Sequence, residues 1–228
     1  MVDDVTINRL RENEIYPGLD NLIHDVKCKF GINEKLDVYI VDDTSSGPNM
    51  YLKSKFGLNK DPNTLNISLN ISRGMFKTIN MIEKTDEMKS LIAHEVSHLK
   101  NEDVYVSNNF IPIYAALAIL FATVVAFLST CNPILISITL IIIAIWGIRN
   151  YNWKQRKMEK RADTDAVIEM GNPNALQTAL KKIYIAKKDN PNNQRFAALY
   201  SVYDFVVGSS HPSTTERINN IEMWKPPR

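Results

Sequence analysis

The sequence predicts a mainly helical protein with a small antiparallel or mixed β-sheet, interrupted by a hairpin of two membrane-spanning helices. Three observations predict this class. Lys and Arg number 27 and Asp and Glu 25, yet none of them falls between Val104 and Ile148. Two segments ahead of that gap alternate apolar and polar residues, as strands do. Beyond it the chain reads as helices separated by breaks rich in Gly, Asn and Pro. The expected organisation is a soluble domain split in two, with its N-terminal part in 1–109, the hairpin in 110–148 and its C-terminal part in 149–228.

Taken in order, residues 5–30 carry an apolar stripe (Val5, Leu10, Ile15, Leu19, Leu22, Ile23, Val26, Phe30) that predicts a helix ended by Gly31. "KLDVYIVDD" alternates like a strand and "TSSGPN" is a turn. In "TLNISLNIS" (64–72) Leu65, Ile67, Leu69 and Ile71 share one face and Asn66, Ser68 and Asn70 the other. That pattern predicts a half-exposed strand at a sheet edge. Its sequons at Asn66 and Asn70 are accidental in a domain expected to face the cytosol. A helix follows from Thr85, with Asp86 and Glu87 in its first turn.

The apolar runs 110–128 and 133–148 are joined by "STCN". A span needs about 20 apolar residues, and each run with its uncharged flanks comes close. Arg149, Lys154, Arg156, Lys157, Lys160 and Arg161 follow the second run, while the connecting loop has no charge, so both ends are expected in the cytoplasm. Trp146, Tyr151 and Trp153 sit where an interfacial belt belongs. A domain of this size has too little surface to bury two all-apolar helices. Helices are then expected over 154–170, 173–188 and 194–207, and a last one opens with the capping box Ser213 and Glu216.

Composition excludes several classes. A net charge of +2 leaves no basic excess for nucleic acid. Two cysteines, Cys28 and Cys131, supply neither a disulfide framework nor a thiolate metal site, which fits a reducing compartment. The opening "MVDDVTINRLRENEIYPG" has acids where a signal peptide needs positive charge.

"SLIAHEVSHLKNED" (90–103) carries the chemistry. His94 and His98 stand four apart, so a helix presents both imidazoles on one face to one metal ion. Glu95 lies about 100° around the helix, close enough to a metal-activated water to act as general base without being a ligand. The competing explanation is a surface histidine pair. Against it, the chain has four histidines in all, and these two lie among Leu91, Ile92, Ala93 and Val96. A hydrolytic zinc site takes three protein ligands and keeps one position open. Candidates for the third are Glu102, Glu159, Glu169, His24 and His211. Glu102 would have to bend back along its own helix. Glu159 fits better, because Ala162 and Ala166 let its helix approach closely and Asp163, one turn on, can accept the outer N–H of a ligand histidine.

"HEVSHLKNED", "EKRADTDA" and "SHPSTTERI", with "GPN" at 47–49 and an apolar hairpin between the first two motifs, occur here in the order found in the HtpX-type membrane metalloproteases, relatives of the CAAX prenyl proteases. The chain resembles that family over about residues 40–220. The resemblance implies a zincin-like, gluzincin-type peptidase domain with one Zn²⁺ per chain. It implies His94, His98 and Glu159 as zinc ligands, Glu95 as general base and acid, Asp163 as the acid orienting a ligand histidine, His211 as an oxyanion stabiliser and Arg217 as its support. It further implies endoproteolysis at the cytoplasmic face of a cell (inner) membrane by a multi-pass protein engaged in protein quality control. Typical members begin with further spans where this sequence has a charged helix, so anchoring is expected to rest on one hairpin. The expected partners are the bilayer and an unfolded or membrane-proximal polypeptide, added as a further strand along 64–71 at Asn66, Ser68 and Asn70. A catalytically silent membrane scaffold of the same fold is the alternative; no residue favours it, since every group the chemistry needs is present.

Overall fold

The computed structural model describes residues 18–33, 36–41, 47–54, 67–79, 85–103, 133–191 and 211–224, with the isolated positions 121, 124, 201, 204 and 209. Among them the elements run α1 (Leu19–Phe30), β1 (Leu36–Val41), β2 (Met50–Ser54), β3 (Ile67–Ser72), α2 (Arg73–Ile79), α3 (Thr85–Lys100), α4 (Pro133–Met170), α5 (Pro173–Lys188) and α6 (Thr214–Met223). Mainly helical with a small mixed sheet is therefore the observed class.

Helix α1 starts later than its apolar stripe suggests. Gly18 has φ +89°, which a right-handed helix cannot continue, so the helix opens at Leu19. Residues 5–17 of the expected helix lie outside the described residues. The buried face is Leu19, Ile23, Val26 and Phe30, spaced one turn apart. Gly31, at φ +66°, closes the helix. Its N–H bonds to Cys28 and that of Ile32 to Lys27, the double bond pattern of a glycine C-terminal stop.

The sheet order is β1-β3-β2, with β1 and β3 parallel and β2 antiparallel to β3. This overturns the edge assignment for 64–72. β3 is the central strand and every residue of it is buried. Its polar alternates are satisfied inside the sheet: Ser68 Oγ donates to the Lys53 carbonyl at 3.2 Å, Asn70 Nδ2 to Ser68 Oγ at 3.2 Å, and Ser72 Oγ accepts from the Asn49 N–H at 2.9 Å. Both flanks of β3 are paired, so Ser68 and Asn70 cannot receive an added strand, and Asn70 cannot carry a glycan. Asn66 lies outside the described residues. Among the described residues the outer strands are β1 and β2, the latter a strand that the alternation did not announce.

Helix α3 is the hub, packed against α1, α4, α5 and β2. Met88, Ile92, Ala93 and Val96 are fully buried, and each large one contributes about 1.5–3 kcal/mol by leaving water. Glu87, itself buried, ties α3 to α5 through Lys182 at 2.7 Å. Ala162 and Ala166 of α4 are also fully buried, as the close approach of α4 to α3 requires.

Helix α4 differs from expectation in its continuity. The sequence suggests a span ending at 148 and a new helix from 154, but one 38-residue helix runs through. Residues 149–153 contain neither Gly nor Pro, so nothing stops it. From 141 to 150 every residue is at least partly exposed, including Ile141, Ile142 and Trp146. Among the described residues no helix is long and apolar enough to cross a membrane. The run 110–128 lies outside them apart from Phe121 and Val124, both exposed, as does 194–207 apart from Ser201 and Asp204. The helices expected over 173–188 and after Ser213 are present as α5 and α6. Ser213 accepts the Glu216 N–H at 3.1 Å. The Glu216 carboxylate does not close the capping box; it takes Arg156 and, at 2.6 Å, Lys160 of α4.

Candidate metal centre

Helix α3 and helix α4 meet at three donor groups. His94 and His98 project from one face of α3 and Glu159 from α4. One ligand atom from each lies within 4.8 Å of the other two. His94 Nε2 is 3.4 Å from Glu159 Oε2, and His98 Nε2 is 3.7 Å from Glu159 Oε1. Glu159 is 8% exposed, so it is no solvated member of the basic run around it.

The histidines are oriented from behind. His94 Nδ1 is 2.9 Å from Asp163 Oδ1, and His98 Nδ1 is 2.9 Å from Asp103 Oδ2. With each Nδ1 turned to a carboxylate, Nε2 is the nitrogen left to face Glu159, and loss of its proton to an arriving metal gives the tautomer a ligand needs. Asp163 is held in turn by Arg217, whose Nε and Nη2 contact its two oxygens at 2.8 and 2.5 Å. Arg217 also stands 3.7 Å from Glu159 Oε2. Arg217, expected as the support of His211, places this fork on Asp163. His211 itself belongs to the cluster, with Nδ1 3.1 Å from Glu159 Oε1 and a largely exposed ring.

Asp103 is the residue that the sequence did not single out. It follows Glu102, which has φ +58°, a left-handed conformation usually reserved for Gly or Asn at a helix end. That turn folds the backbone around so that Asp103 reaches His98, while Arg161 of α4 holds its other oxygen. A second unforeseen brace is Asp165, which accepts Ser97 Oγ at 2.7 Å and Asn101 Nδ2 at 2.9 Å and so pins α3 to α4. Glu169 pairs with Lys100 and His24 lies beside Cys28 on α1, so neither joins the centre.

Proton affinities follow from this packing. Burial and the Arg217 charge press on His94, yet the Asp163 and Glu159 carboxylates outweigh them and hold its pKa up at about 10. Burial opposes the ionised Glu159, but its contacts with His211 and His94 hold the carboxyl well below the usual range. Asp163 is likewise lowered, burial being overcome by Arg217. Burial pushes Glu95 above its ordinary value, against the histidine charges.

The donor set fits a zinc ion: two imidazole nitrogens with their tautomers fixed, one buried carboxylate, and an open side. That side is a cleft of about 800 Å³ bounded by α3, α5 and β2, with Glu95, half-buried, in its wall. Replacing Asp103 by asparagine is expected to weaken zinc binding about 10–100-fold, as the loss of a histidine's carboxylate partner does elsewhere. Competition with a chromophoric chelator measures it. An unchanged affinity would remove Asp103 from this role.

A histidine pair at i, i+4 on a buried helix, completed by a carboxylate from a second helix and open to a cleft, is the arrangement of a metallopeptidase. Residues 20–225 match the model of Peptidase family M48, and the protein belongs to that family. It is 29% identical to a protein named Protease HtpX homolog in Dictyoglomus turgidum over 237 aligned residues, covering 93% of this chain and 72% of that one. Likenesses bearing the same name occur in Pyrococcus furiosus (29% over 178 residues, 66% of this chain and 57% of that protein) and Salinibacter ruber (29% over 148 residues, 60% and 54%). The matched part thus spans little more than half the length of some curated relatives and under three quarters of the others.

Proposed function

We propose that this protein is a zinc-dependent endopeptidase, anchored in a cell (inner) membrane, that cleaves unfolded or membrane-proximal polypeptide on the cytoplasmic side in protein quality control. The observation that carries this reading is the convergence of His94, His98 and Glu159 beside Glu95 in one open cleft. His94 Nε2, His98 Nε2 and a Glu159 oxygen would hold one Zn²⁺. When bound, the ion supplies Lewis acidity toward water and the scissile carbonyl. Glu95 takes the water's proton and returns it to the leaving amine; its raised pKa suits a group that must serve as base and then acid. His211, at the cleft mouth, is the residue we assign to the developing oxyanion. Asp163, Asp103 and Arg217 keep the two imidazoles aimed.

An extended substrate has an edge to pair with in β2, whose residues Met50 to Lys53 border the cleft. This replaces the strand 64–71. Membrane anchoring is supported by the exposed Ile138, Ile141 and Ile142 of α4, by Trp146 and Trp153, and by the basic residues after them. Because α4 is unbroken, Glu159 stands eleven residues beyond Ile148, about 16 Å along the helix axis. About five extended residues of a membrane-bound substrate cover that distance.

The test is metal removal. Protein purified in detergent should cleave casein, lose that activity on dialysis against a chelator, and regain it when one equivalent of Zn²⁺ is returned. Stoichiometric zinc without cleavage of any unfolded substrate would sink the proposal.

A further inference from the structure

Helices α3 and α4 each supply part of the donor set, so the centre depends on how one helix is registered on the other. Ala93 and Ser97 are fully buried on α3, as are Ala162 and Ala166 on α4. Such short side chains let the helices approach closely, but they raise only shallow ridges and resist sliding weakly. The accuracy required is high. Zinc bonds of about 2.0–2.2 Å put the ligands of a tetrahedral ion roughly 3.3–3.6 Å apart. His94 Nε2 and His98 Nε2 stand 3.4 and 3.7 Å from the Glu159 carboxylate, near that spacing. A site of this kind tolerates displacements of about 0.5 Å.

Asp165 supplies what the small residues lack. Its Oδ2 accepts Ser97 Oγ at 2.7 Å and Asn101 Nδ2 at 2.9 Å, donors from two successive turns at the end of α3. Asn101 is fixed in turn, because its amide also donates to the Ser97 carbonyl at 2.9 Å. One oxygen held from two heights allows no slide or roll of α4 without stretching a bond. A polar group satisfied in one alignment is a register device, the best-attested use of such groups at helix contacts. The clasp lies beside the chemistry in sequence. Ser97 directly precedes His98, and Asp165 follows Asp163 by two positions and Glu159 by six. Both helices are unbroken from clasp to donors, so the alignment fixed at one is carried to the other.

We propose that Asp165 is a positioning residue of the metal centre: it sets the register of α4 on α3, and with it the reach of Glu159 to the two histidines. The proposal rests on the zinc reading above and adds to it a residue that belongs neither to the donor cluster nor to the lining of the cleft.

The experiment uses the full-length protein in detergent, with Zn²⁺ affinity from chelator competition and the visible absorption spectrum of the Co²⁺-loaded form. Asp165→Ala is expected to weaken zinc binding about tenfold or more and to shift the cobalt bands, as loss of outer support does at other metal sites. Asp165→Asn keeps an oxygen that accepts both donors and should restore most of the affinity and the wild-type spectrum. Asn101→Ala removes one bond of the two and should fall between. Val167→Ala, a cavity in the core of α4, is the control: it should lower the melting temperature and leave spectrum and affinity unchanged. Wild-type affinity and spectrum in Asp165→Ala overturn the proposal. So does a Val167→Ala protein that shows the same two losses, which would reduce Asp165 to a contributor to stability. Should Asp165→Ala fail to fold, Asn101→Ala decides, and a wild-type spectrum and affinity in it overturn the proposal. A wild type that binds neither Zn²⁺ nor Co²⁺ overturns the zinc reading, and this proposal with it.

Discussion

Glu95→Gln is expected to lower kcat/KM for casein-derived peptides by about a thousandfold or more while zinc content stays at one per chain. A positioned general acid or base contributes about 10²–10⁴ in rate, and Glu95 serves in both directions of proton transfer. The residue stands beside the donor cluster without belonging to it. Glutamine has the same shape, so the wall of the cleft and the packing of α3 are retained. What is lost is the carboxylate that accepts a proton from water. Its pKa, raised by burial, lies nearer the working pH than that of a free glutamate, which favours transfer in both steps. Turnover and metal analysis on one preparation make the comparison. A glutamine variant that retains full activity would show that Glu95 is not the base, whatever its position.

The centre is legible in the sequence to the extent that it is written in helix periodicity. His94 and His98, and Glu159 and Asp163, are i, i+4 pairs, and Ala162 and Ala166 mark the face along which their helices touch. Such signals are local and survive into the structure. Asp103 is hidden because its reach depends on a left-handed turn at Glu102, a residue type with no preference for that conformation. Arg217 is legible as a neighbour of the site, but its partner is not: a fork onto Asp163 joins residues 54 positions apart. The strand 67–72 misleads for another reason. Alternation reports two faces, and polar residues on one face usually mean solvent. Ser68, Asn70 and Ser72 are short enough to be satisfied by neighbouring strands, so a central strand carries the pattern of an edge. With that strand central, β2 is the outer strand beside the cleft among the described residues, and the proposed place of the substrate moves with it.

Glu159→Gln should reduce zinc affinity by well over a hundredfold, beyond the 10–100-fold expected for Asp103→Asn, because it alters a donor and not the partner of one. A neutral amide oxygen is a poorer zinc ligand than a carboxylate, and its nitrogen brings two protons into a space where His94, His98, His211 and Arg217 already converge at 3.1–3.7 Å. The same change has a consequence without metal. Glu159 titrates lower in the folded protein than its unfolded value of about 4.3, so its ionised form contributes stability above that pH and the contribution fades as pH falls below it. Metal-free wild type and Glu159→Gln should therefore differ in melting temperature at pH 7, with the variant lower, and converge under acid. The two readouts separate the roles. Normal zinc binding with a lowered melting temperature would leave Glu159 as an ionic brace between α3 and α4 and remove it from the ligand set. Lost zinc binding with activity unrecovered at high Zn²⁺ would show that a carboxylate delivered by α4, the helix that begins in the apolar segment, completes the site that α3 begins.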